Sequence, residues 1–423
     1  MSERAALGQA KQQPHVSPRI LDLRKQVEAG NRPAVESFWE EMARQGTPLV
    51  EPIKGDDRHM LLTFLWRGKD DTKNVVVFAG LGAGVIENNR MARLLDTDVW
   101  YKTYRVRNDL RLTYYLSPND SLIPFDEIDE KDISKREASF QHDPLNPNQF
   151  AGSPGFASVV VLSAAPEEKW LTRQPDVARG NVEQRRLKSA ILGNERKAWI
   201  YTPAGYRAGG GPYGLLLFFD GPAYVYLIPT PIILDNLIAK GHLPPLVAVF
   251  LDNPTRDSRE TEFACHQPYA DFIAREAVPW IRKGYHVTRE PARTAVGGLS
   301  FGGLAATYIG FRHPNIFGNV IAQSGSFWWK PKTDGESEWL TRQFVATRRL
   351  PLRFHLDVGL LENSRLPGDA PDMVTASRHL RDVLRARGYE VHYSEFNGGH
   401  TALNWRVTLP EALIALMGKR SKR

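Results

Sequence analysis

Hydrophobic positions follow two different periods in the first third of this 423-residue chain. Apolar residues at helical spacing predict short helices over residues 19–29 and 33–44, the first ending at Gly30 and the second opening with a proline. The spacing then becomes that of strands, in short runs rich in β-branched and aromatic residues. These runs are residues 60–66, 75–78, 99–106 and 112–116. Their succession is typical of a small antiparallel β-sandwich.

A different pattern begins near residue 182, after a connection whose prolines and asparagines forbid regular structure. Gly193-Asn194 between two apolar runs predicts a β-hairpin. Apolar strands then alternate with helical patterns, the predicted strands being residues 215–219, 246–251, 294–296, 320–322, 354–358 and 391–396. Several are apolar at consecutive positions, as expected of parallel strands that are buried on both faces. The second part of the chain is therefore predicted to be α/β.

The domain prediction follows from these two patterns. Residues 1–18 are polar and predicted to be a disordered tail, and residues 19–155 form an N-terminal β-sandwich domain, Ig-like, with leading helices. Residues 156–181 are predicted to be a linker, and residues 182–423 a catalytic α/β domain. Two domains agree with a chain too long for one ordinary core.

Composition narrows the class of protein. No apolar run approaches the roughly 18 residues of a membrane span, and the polar start does not resemble a secretory signal, so we expect a cytoplasmic protein without a membrane partner. The single cysteine, Cys265, excludes an internal disulfide framework, and no ligand spacing around it suits a metal. The net charge is +7, but only residues 419–423 form a dense basic cluster, and no nucleic-acid-binding motif accompanies it. The charge therefore favours an anionic small molecule over nucleic acid.

One stretch carries a candidate nucleophile. Residues 298–302, Gly-Leu-Ser-Phe-Gly, fit G-x-S-x-G, in which a serine lies at a sharp turn between a strand and a helix. A strand-like run precedes the motif, and helical spacing follows it until His313-Pro314. Ser300 is therefore predicted to be a nucleophile, and the α/β part is predicted to be an α/β-hydrolase domain.

A serine nucleophile needs a base, usually held by an acid, and this fold supplies them in the order Ser, acid, His. His400 follows the last predicted strand in Asn397-Gly398-Gly399-His400, a loop flexible enough to bring it over the sheet edge. Glu362, just beyond the strand at 354–358, is the preferred acid. Three aspartates are alternative acids: Asp357, Asp369 and Asp372. A Ser-His dyad without an acid is also chemically sufficient.

Backbone N–H groups must stabilise the oxyanion that forms during ester cleavage. Phe301, which follows the nucleophile, supplies the first. The second is expected from the turn after an early strand, Asp220-Gly221-Pro222-Ala223. Because Pro222 has no N–H, either Gly221 or Ala223 must serve, unless the sequence is only a tight turn.

Seven stretches together resemble the enterochelin (enterobactin) esterases, which hydrolyse ferric siderophores, over roughly residues 35–418. These are 143–147 (DPLNP), 220–221 (DG), 259–263 (RETEF), 298–303 (GLSFGG), 323–329 (QSGSFWW), 359–362 (GLLE) and 398–406 (GGHTALNWR). The resemblance implies a serine esterase that opens the lactone bonds of an anionic catecholate siderophore and helps to release iron in the cytoplasm. It implies no cofactor and no metal ligand of the protein itself, since the ferric ion belongs to the substrate.

The resemblance also implies a substrate site. Trp328 and Trp329 are expected to stack on catechol rings, and Arg259 and Arg406 to balance their charge, with Trp405 beside them. A structural alternative is open for each kind of residue, because tryptophans commonly lie in cores and Arg259 is three residues from Glu262, with which it can pair.

Two departures from the family pattern leave the substrate open. Pro222 follows Gly221, and residues 364–371 resemble an insertion after the presumed acid. The alternatives are a general carboxylic-ester hydrolase acting on aryl or acyl-sugar esters, and a non-catalytic protein whose sandwich binds a sugar or polymer. The Ser, acid, His order argues against the second. The oligomeric state is not predicted.

Overall fold

The computed structural model describes residues 15–124, 130–152, 155–366, 368 and 370–419. Its helices are α1 (Pro18–Glu28), α2 (Ala34–Gln45), α3 (Ile86–Asn89), α4 (Glu130–Ala138), α5 (Thr230–Ala239), α6 (Arg256–Phe263), α7 (Gln267–Phe272), α8 (Val278–Gly284), α9 (Phe301–Arg312), α10 (Trp339–Ala346), α11 (Met373–Ala386) and α12 (Ala402–Met417). Its strands are β1 (Leu49–Ile53), β2 (Asp56–Arg67), β3 (Val75–Phe78), β4 (Ala92–Arg93), β5 (Val99–Arg107), β6 (Arg111–Pro118), β7 (Gln149–Ala151), β8 (Phe156–Val161), β9 (Asn181–Ser189), β10 (Asn194–Thr202), β11 (Gly214–Phe218), β12 (Leu246–Leu251), β13 (Thr294–Leu299), β14 (Asn319–Gln323), β15 (Arg353–Gly359) and β16 (Glu390–Phe396).

The chain divides into two compact units. The first contains the described residues up to Leu110 together with Tyr114–Ala164, and the second contains Arg111–Thr113 together with the described part of Ala165–Arg423. Strand β6 contributes to both units, so its first residues belong with the α/β part. The predicted linker, residues 156–181, begins with a regular strand, β8, and therefore starts too early.

The first unit holds two four-stranded sheets, in the orders β1-β2-β5-β4 and β3-β6-β8-β7. The strand pairs that define their registers are antiparallel. Helices α1 and α2 pack their apolar faces onto the first sheet, where Phe38 and Leu65 share one core. The predicted tail, residues 1–18, runs into α1, because Ser17 caps this helix by accepting the N–H of Ile20 and Pro18 is its first residue; residues 1–14 lie outside the described part.

The second unit is built on one eight-stranded sheet in the order β16-β15-β14-β13-β11-β12-β10-β9. Strands β11 to β16 are parallel, and the β9–β10 hairpin is antiparallel at one edge. The strand predicted at 246–251 is confirmed residue for residue as β12 and is buried throughout. An α/β architecture with a mixed sheet results.

Helices cover both faces of this sheet. Alternate strand residues such as Leu215 and Val247 share one core cluster with residues of α7, α8, α9 and α11. Helix α12 packs on β13 to β16 and adds no residue to that cluster, so it covers the opposite face. The carboxyl ends of the parallel strands therefore meet at one edge between two helical layers, which is where sites form in such folds. None of the described helices is long and apolar enough to cross a membrane.

Candidate active site

Ser300 lies between β13 and α9 with φ 56° and ψ −126°, in the positive-φ region that non-glycine residues rarely adopt. Its N–H donates to the carbonyl of Gln323 at 2.9 Å, which ties the turn to the neighbouring strand. The turn also requires Gly298, since a Cβ atom there would lie 2.3 Å from the carbonyl oxygen of Gly302. The predicted turn of the G-x-S-x-G motif is thus present, with Ser300 at the N-terminus of α9.

His400 and Glu362 are in direct contact. The Nδ1 atom of His400 lies 2.6 Å from Oε2 of Glu362, although the two residues are 38 positions apart. A carboxylate only accepts hydrogen bonds, so Nδ1 carries a proton and Nε2 of a neutral imidazole remains an acceptor. Glu362 is almost fully buried, with 2% of its side chain exposed, whereas the His400 side chain is 37% exposed. The buried carboxylate therefore fixes the orientation of an imidazole that is itself accessible to solvent.

The second carboxylate oxygen of Glu362, Oε1, is also hydrogen-bonded. Its Oε1 accepts the Gly359 N–H at 2.8 Å and the Ser324 hydroxyl at 2.6 Å. Close approach is possible because Gly359 has no side chain: a Cβ there would lie 2.8 Å from Oε1 and 2.4 Å from the Gly398 carbonyl. The carboxylate thus has a defined position as well as a partner.

The competing acids lie elsewhere. Asp357 is inside β15, where burial raises the pKa of its carboxyl to about 7, and its Oδ2 atom is 3.4 Å from the Gln323 amide. Asp372 caps α11 by accepting the N–H of Thr375. Asp369 lies outside the described residues.

Ser324 belongs to the site, although no sequence motif predicted it. It follows β14, is fully buried and has φ 47°. Its Oγ atom donates to Glu362 and accepts the indole N–H of Trp405 at 2.9 Å. The only signal in the sequence was its place after a predicted strand in the Gln-Ser-Gly-Ser stretch, which resembles many ordinary turns.

Trp405 does not lie where a substrate platform was predicted. Its side chain is buried, and its ring packs edge-on against His400 with the centroids 4.8 Å apart at 87°. Its ring therefore packs against the histidine, and its indole N–H binds Ser324, which in turn binds the acid Glu362. This burial argues against the predicted substrate contact, since the pattern of residues 398–406 did not reveal which face of α12 is covered.

The turn after β11 contains both residues that were expected to supply the second oxyanion donor, Gly221 and Ala223. Asp220 has φ 54°, and its carbonyl accepts the Ala223 N–H at 2.9 Å. The Ala223 N–H is therefore already bonded, which favours Gly221 of the two alternatives. The N–H groups of Gly221 and Phe301 have no acceptor among the described residues. They remain the candidates for binding a developing negative charge.

The two predicted substrate arginines each have a carboxylate partner. Arg259 forms a two-point ion pair with Asp220, at 2.6 and 2.8 Å. It does not pair with Glu262, as the structural alternative proposed, because that carboxylate binds the buried Arg196 through two bonds of 3.0 and 2.9 Å.

Arg406 binds Glu168, with its Nε atom 3.0 Å from the carboxylate. Arg111 binds the same oxygen atom. The N–H of Arg111 also donates to the carbonyl of Asn397, at the start of the loop that carries His400. Two guanidinium groups thus share one carboxylate beside that loop, and the formal charge of this trio is +1.

Trp328 and Trp329 are half-buried. The Trp328 ring meets Phe301 edge-on at 5.8 Å, which brings it next to the nucleophile turn. The Trp329 ring meets Trp339 in the same way at 6.1 Å. Each ring has one packed and one accessible part, so a platform role stays a prediction. Among the described residues, no three His, Cys, Asp or Glu side chains are grouped so as to hold a metal ion.

A cavity of about 560 Å³ opens beside the turn that follows β11. It is lined by Asp220, Pro222, Ala223, Tyr226, Leu227, Asp252, Arg259 and Leu299. It therefore extends from the turn after β11 to the residue that precedes Ser300.

Two family models match the chain. Residues 189–416 match a model described as putative esterase, and residues 61–171 match one described as enterochelin esterase, N-terminal. The iron(III) enterobactin esterase of Dickeya dadantii (strain 3937) is 31% identical over 408 residues, which cover 88% of this chain and 90% of the relative.

Solved structures agree with these matches. Ferric enterobactin esterase from Salmonella typhimurium is similar with a TM-score of 0.72 at 27% identity, over 90% of this chain and 98% of that one. Enterobactin esterase from Shigella flexneri, crystallised in the presence of enterobactin, has a TM-score of 0.71 at 27% identity, over 90% and 97%. Since sequence and structure agree over both units, the chain belongs to the enterobactin (enterochelin) esterase family.

Proposed function

We propose that this protein is a serine esterase that hydrolyses the ester bonds of a cyclic catecholate siderophore of the enterobactin type. The observation that carries the proposal is the 2.6 Å bond between His400 and Glu362 at the sheet edge where Ser300 occupies its strained turn. Ser300, Glu362 and His400 follow strands β13, β15 and β16, which with β14 form four consecutive parallel strands of the sheet, so the topology gathers the three residues at one edge. Relatives named iron(III) enterobactin esterase support the substrate class.

The mechanism follows from these positions. Ser300 Oγ attacks the lactone carbonyl carbon while His400 Nε2 takes the hydroxyl proton, and Glu362 stabilises the imidazolium that forms. The carbonyl oxygen becomes an anion that accepts hydrogen bonds from the N–H groups of Phe301 and Gly221. When the tetrahedral intermediate collapses, the ester C–O bond breaks and His400 returns the proton to the departing seryl oxygen.

Water completes the cycle by the same steps. His400 removes a proton from water, the resulting hydroxide attacks the acyl carbon, and Ser300 Oγ leaves with the proton that His400 carries. The products are a carboxylic acid and free Ser300. Opening the trilactone removes the ring that holds three catecholates around iron(III), which weakens the chelate. The iron is part of the substrate in this scheme.

The wider setting of the activity is also a proposal. We infer that the protein acts in the cytoplasm as part of iron acquisition, where a siderophore arrives loaded and its metal must be released. The two antiparallel sheets of the first unit support an Ig-like sandwich preceding the hydrolase. Residues 61–171 fit this arrangement, since they match the model of the N-terminal part of enterochelin esterases.

The test compares substrates and one variant. Purified protein is given the trilactone with and without iron(III), beside simple aryl esters, and the products are followed by mass. We expect stepwise hydrolysis of the trilactone, and at least a thousandfold loss of kcat in Ser300→Ala, since the nucleophile is removed. Ser377→Ala, which replaces a buried serine of α11, serves as the matched control.

Three results contradict the proposal. Turnover of aryl esters with an untouched trilactone favours the general carboxylic-ester hydrolase. Wild-type kcat in Ser300→Ala excludes the serine mechanism. Absence of turnover on every ester is the result expected of a non-catalytic binding protein.

A further inference from the structure

The cavity beside the nucleophile turn, defined above by its eight lining residues, has a composition that selects its ligand. Apolar surfaces of Pro222, Leu227 and Leu299 form much of its wall. Its polar end lies close to α9, because the ideal Cβ position at Gly302 is 3.2 Å from Oδ2 of Asp220. A group bound here is therefore next to the bond that Ser300 attacks.

Tyr226 provides an aromatic surface in this cavity. It lies on a π-helical turn, Ala223–Leu227. The residue is 66% exposed, which is unusual for a large aromatic residue. Its hydroxyl accepts the Trp199 indole N–H at 3.1 Å, and the two rings meet edge-on with centroids 6.3 Å apart. The Tyr226 ring is thus held in one orientation while its face stays accessible, as a stacking surface requires.

The charges in the cavity do not suit an anion. Arg259 is neutralised by its two-point pair with Asp220. Asp252 also lines the cavity, and within the described part of the chain its Oδ1 atom accepts only the N–H of the next residue, Asn253, at 2.9 Å. The lining residues therefore hold two carboxylates and one guanidinium, a net formal charge of −1 when both acids are ionised. Burial raises the pKa of Asp252 and the nearby Asp220 adds to this effect, whereas the Asn253 N–H, Lys197 and Arg196 oppose it.

We propose that this cavity binds one hydroxylated aryl ring of the substrate in its uncharged form, with the ring against Tyr226 and a ring hydroxyl donating to Asp252. The inference rests on the proposed function and specifies its substrate site. A catechol bound to iron(III) has lost its hydroxyl protons and presents anionic oxygens, which Asp252 repels. The ring that enters the cavity is therefore one that is free of iron, from the unloaded siderophore or from an arm released by the metal.

The experiment uses Asp252→Asn in the full-length protein. Asparagine is nearly isosteric and its Oδ1 can keep the bond from Asn253, which places the amide NH₂ where the second carboxylate oxygen was. An acceptor facing the ligand becomes a donor. The probes are the iron-free N-(2,3-dihydroxybenzoyl)serine trilactone, its ferric complex, and the N-benzoylserine trilactone, which lacks the hydroxyls.

We expect kcat/KM for the iron-free dihydroxy trilactone to fall about tenfold relative to that for the benzoyl trilactone, the size of one hydrogen bond to a charged group. For the ferric complex, kcat/KM should stay level or rise. Tyr226→Ala should raise KM about fivefold for both iron-free trilactones, and Tyr226→Phe should raise it less, since the ring remains. Asp382→Asn, at an exposed site on α11, is the matched control.

Three results overturn the inference. An equal fall on both iron-free trilactones means that Asp252 is only structural. A fall confined to the ferric complex means that an anionic ring binds here. Unchanged kcat/KM on all three probes means that the ring binds elsewhere. Each presupposes that the wild-type protein hydrolyses a trilactone; if it does not, the proposed function itself fails, so the two failures are distinguishable.

Discussion

Ser324→Ala tests whether the hydrogen-bond chain behind the acid matters for catalysis. The Ser324 hydroxyl is one of two donors to Oε1 of Glu362, and it is the acceptor for the buried Trp405 N–H. Alanine keeps the Cβ atom, so the strain of φ 47° is unchanged and only the hydroxyl is lost. Of its partners among the described residues, the carboxylate then keeps Gly359 and His400, and the indole N–H has lost its acceptor.

The magnitude follows from these two bonds. A hydrogen bond to a charged group contributes about 1.5–3 kcal/mol, and a buried unsatisfied donor costs about 1–3 kcal/mol. The two hydrogen bonds share the Ser324 Oγ atom, so their contributions are not additive. We therefore expect the free energy of unfolding to fall by about 2–4 kcal/mol. If about 1.5 kcal/mol of this also orients Glu362 in the transition state, kcat falls roughly tenfold. KM should change less than twofold, since Ser324 is fully buried.

Urea unfolding and steady-state hydrolysis of the iron-free trilactone measure the two effects. Ser377→Ala is the control for stability: it removes a hydroxyl that is also fully buried but has no partner among the described residues. Trp405→Phe separates the two bonds, because it removes the indole N–H and keeps an aromatic ring beside His400. It should lower kcat by less than Ser324→Ala does.

The reasoning is refuted if Ser324→Ala loses stability but keeps the wild-type kcat. Ser324 then supports the fold without positioning the acid. It is equally refuted if KM rises and kcat stays the same, because a residue that acts only through Glu362 has no reason to change substrate affinity.

Two further predictions concern the carboxylates. Glu362→Gln should lower kcat by about 10³–10⁴, since the amide cannot stabilise an imidazolium and favours the wrong tautomer of His400; a fall of less than tenfold in steady-state assays would favour a Ser-His dyad. Burial raises the pKa of Asp357 from 3.8 to about 7, so between those pH values the folded protein binds more protons than the unfolded chain and stability declines as pH rises. Asp357→Asn should remove that part of the decline in urea unfolding at pH 5 and pH 8, and an unchanged pH dependence would show that Asp357 does not ionise in this range.

Much of the fold was readable from local pattern. The strand at 246–251 and the strand at 75–78 were predicted with their observed bounds, because a run of apolar or β-branched residues is a property of the segment itself. The turn at Ser300 was predictable for the same reason, since Gly298 and Gly302 are small where the backbone must close. Family membership, inferred from seven short stretches, is confirmed over both units.

Partner choice was not readable in this way. Helical spacing suggested that Arg259 pairs with Glu262, but the structure pairs it with Asp220, which is 39 positions away. Trp405 was expected to face substrate and is buried behind His400. In both cases the sequence specified which side chains were available. The packing of segments that are distant in the chain determined which of them form contacts.

The sequence by itself determined the α/β pattern, the nucleophile turn and the residues from which a triad can be built. The tertiary structure decided that Glu362, and not Asp357, holds His400, that Ala223 is already bonded, and that Ser324 completes the support of the acid. The physical reason is that periodicity and turn chemistry act over a few residues. Hydrogen-bond partners and buried charges depend instead on which strand ends the parallel sheet brings together.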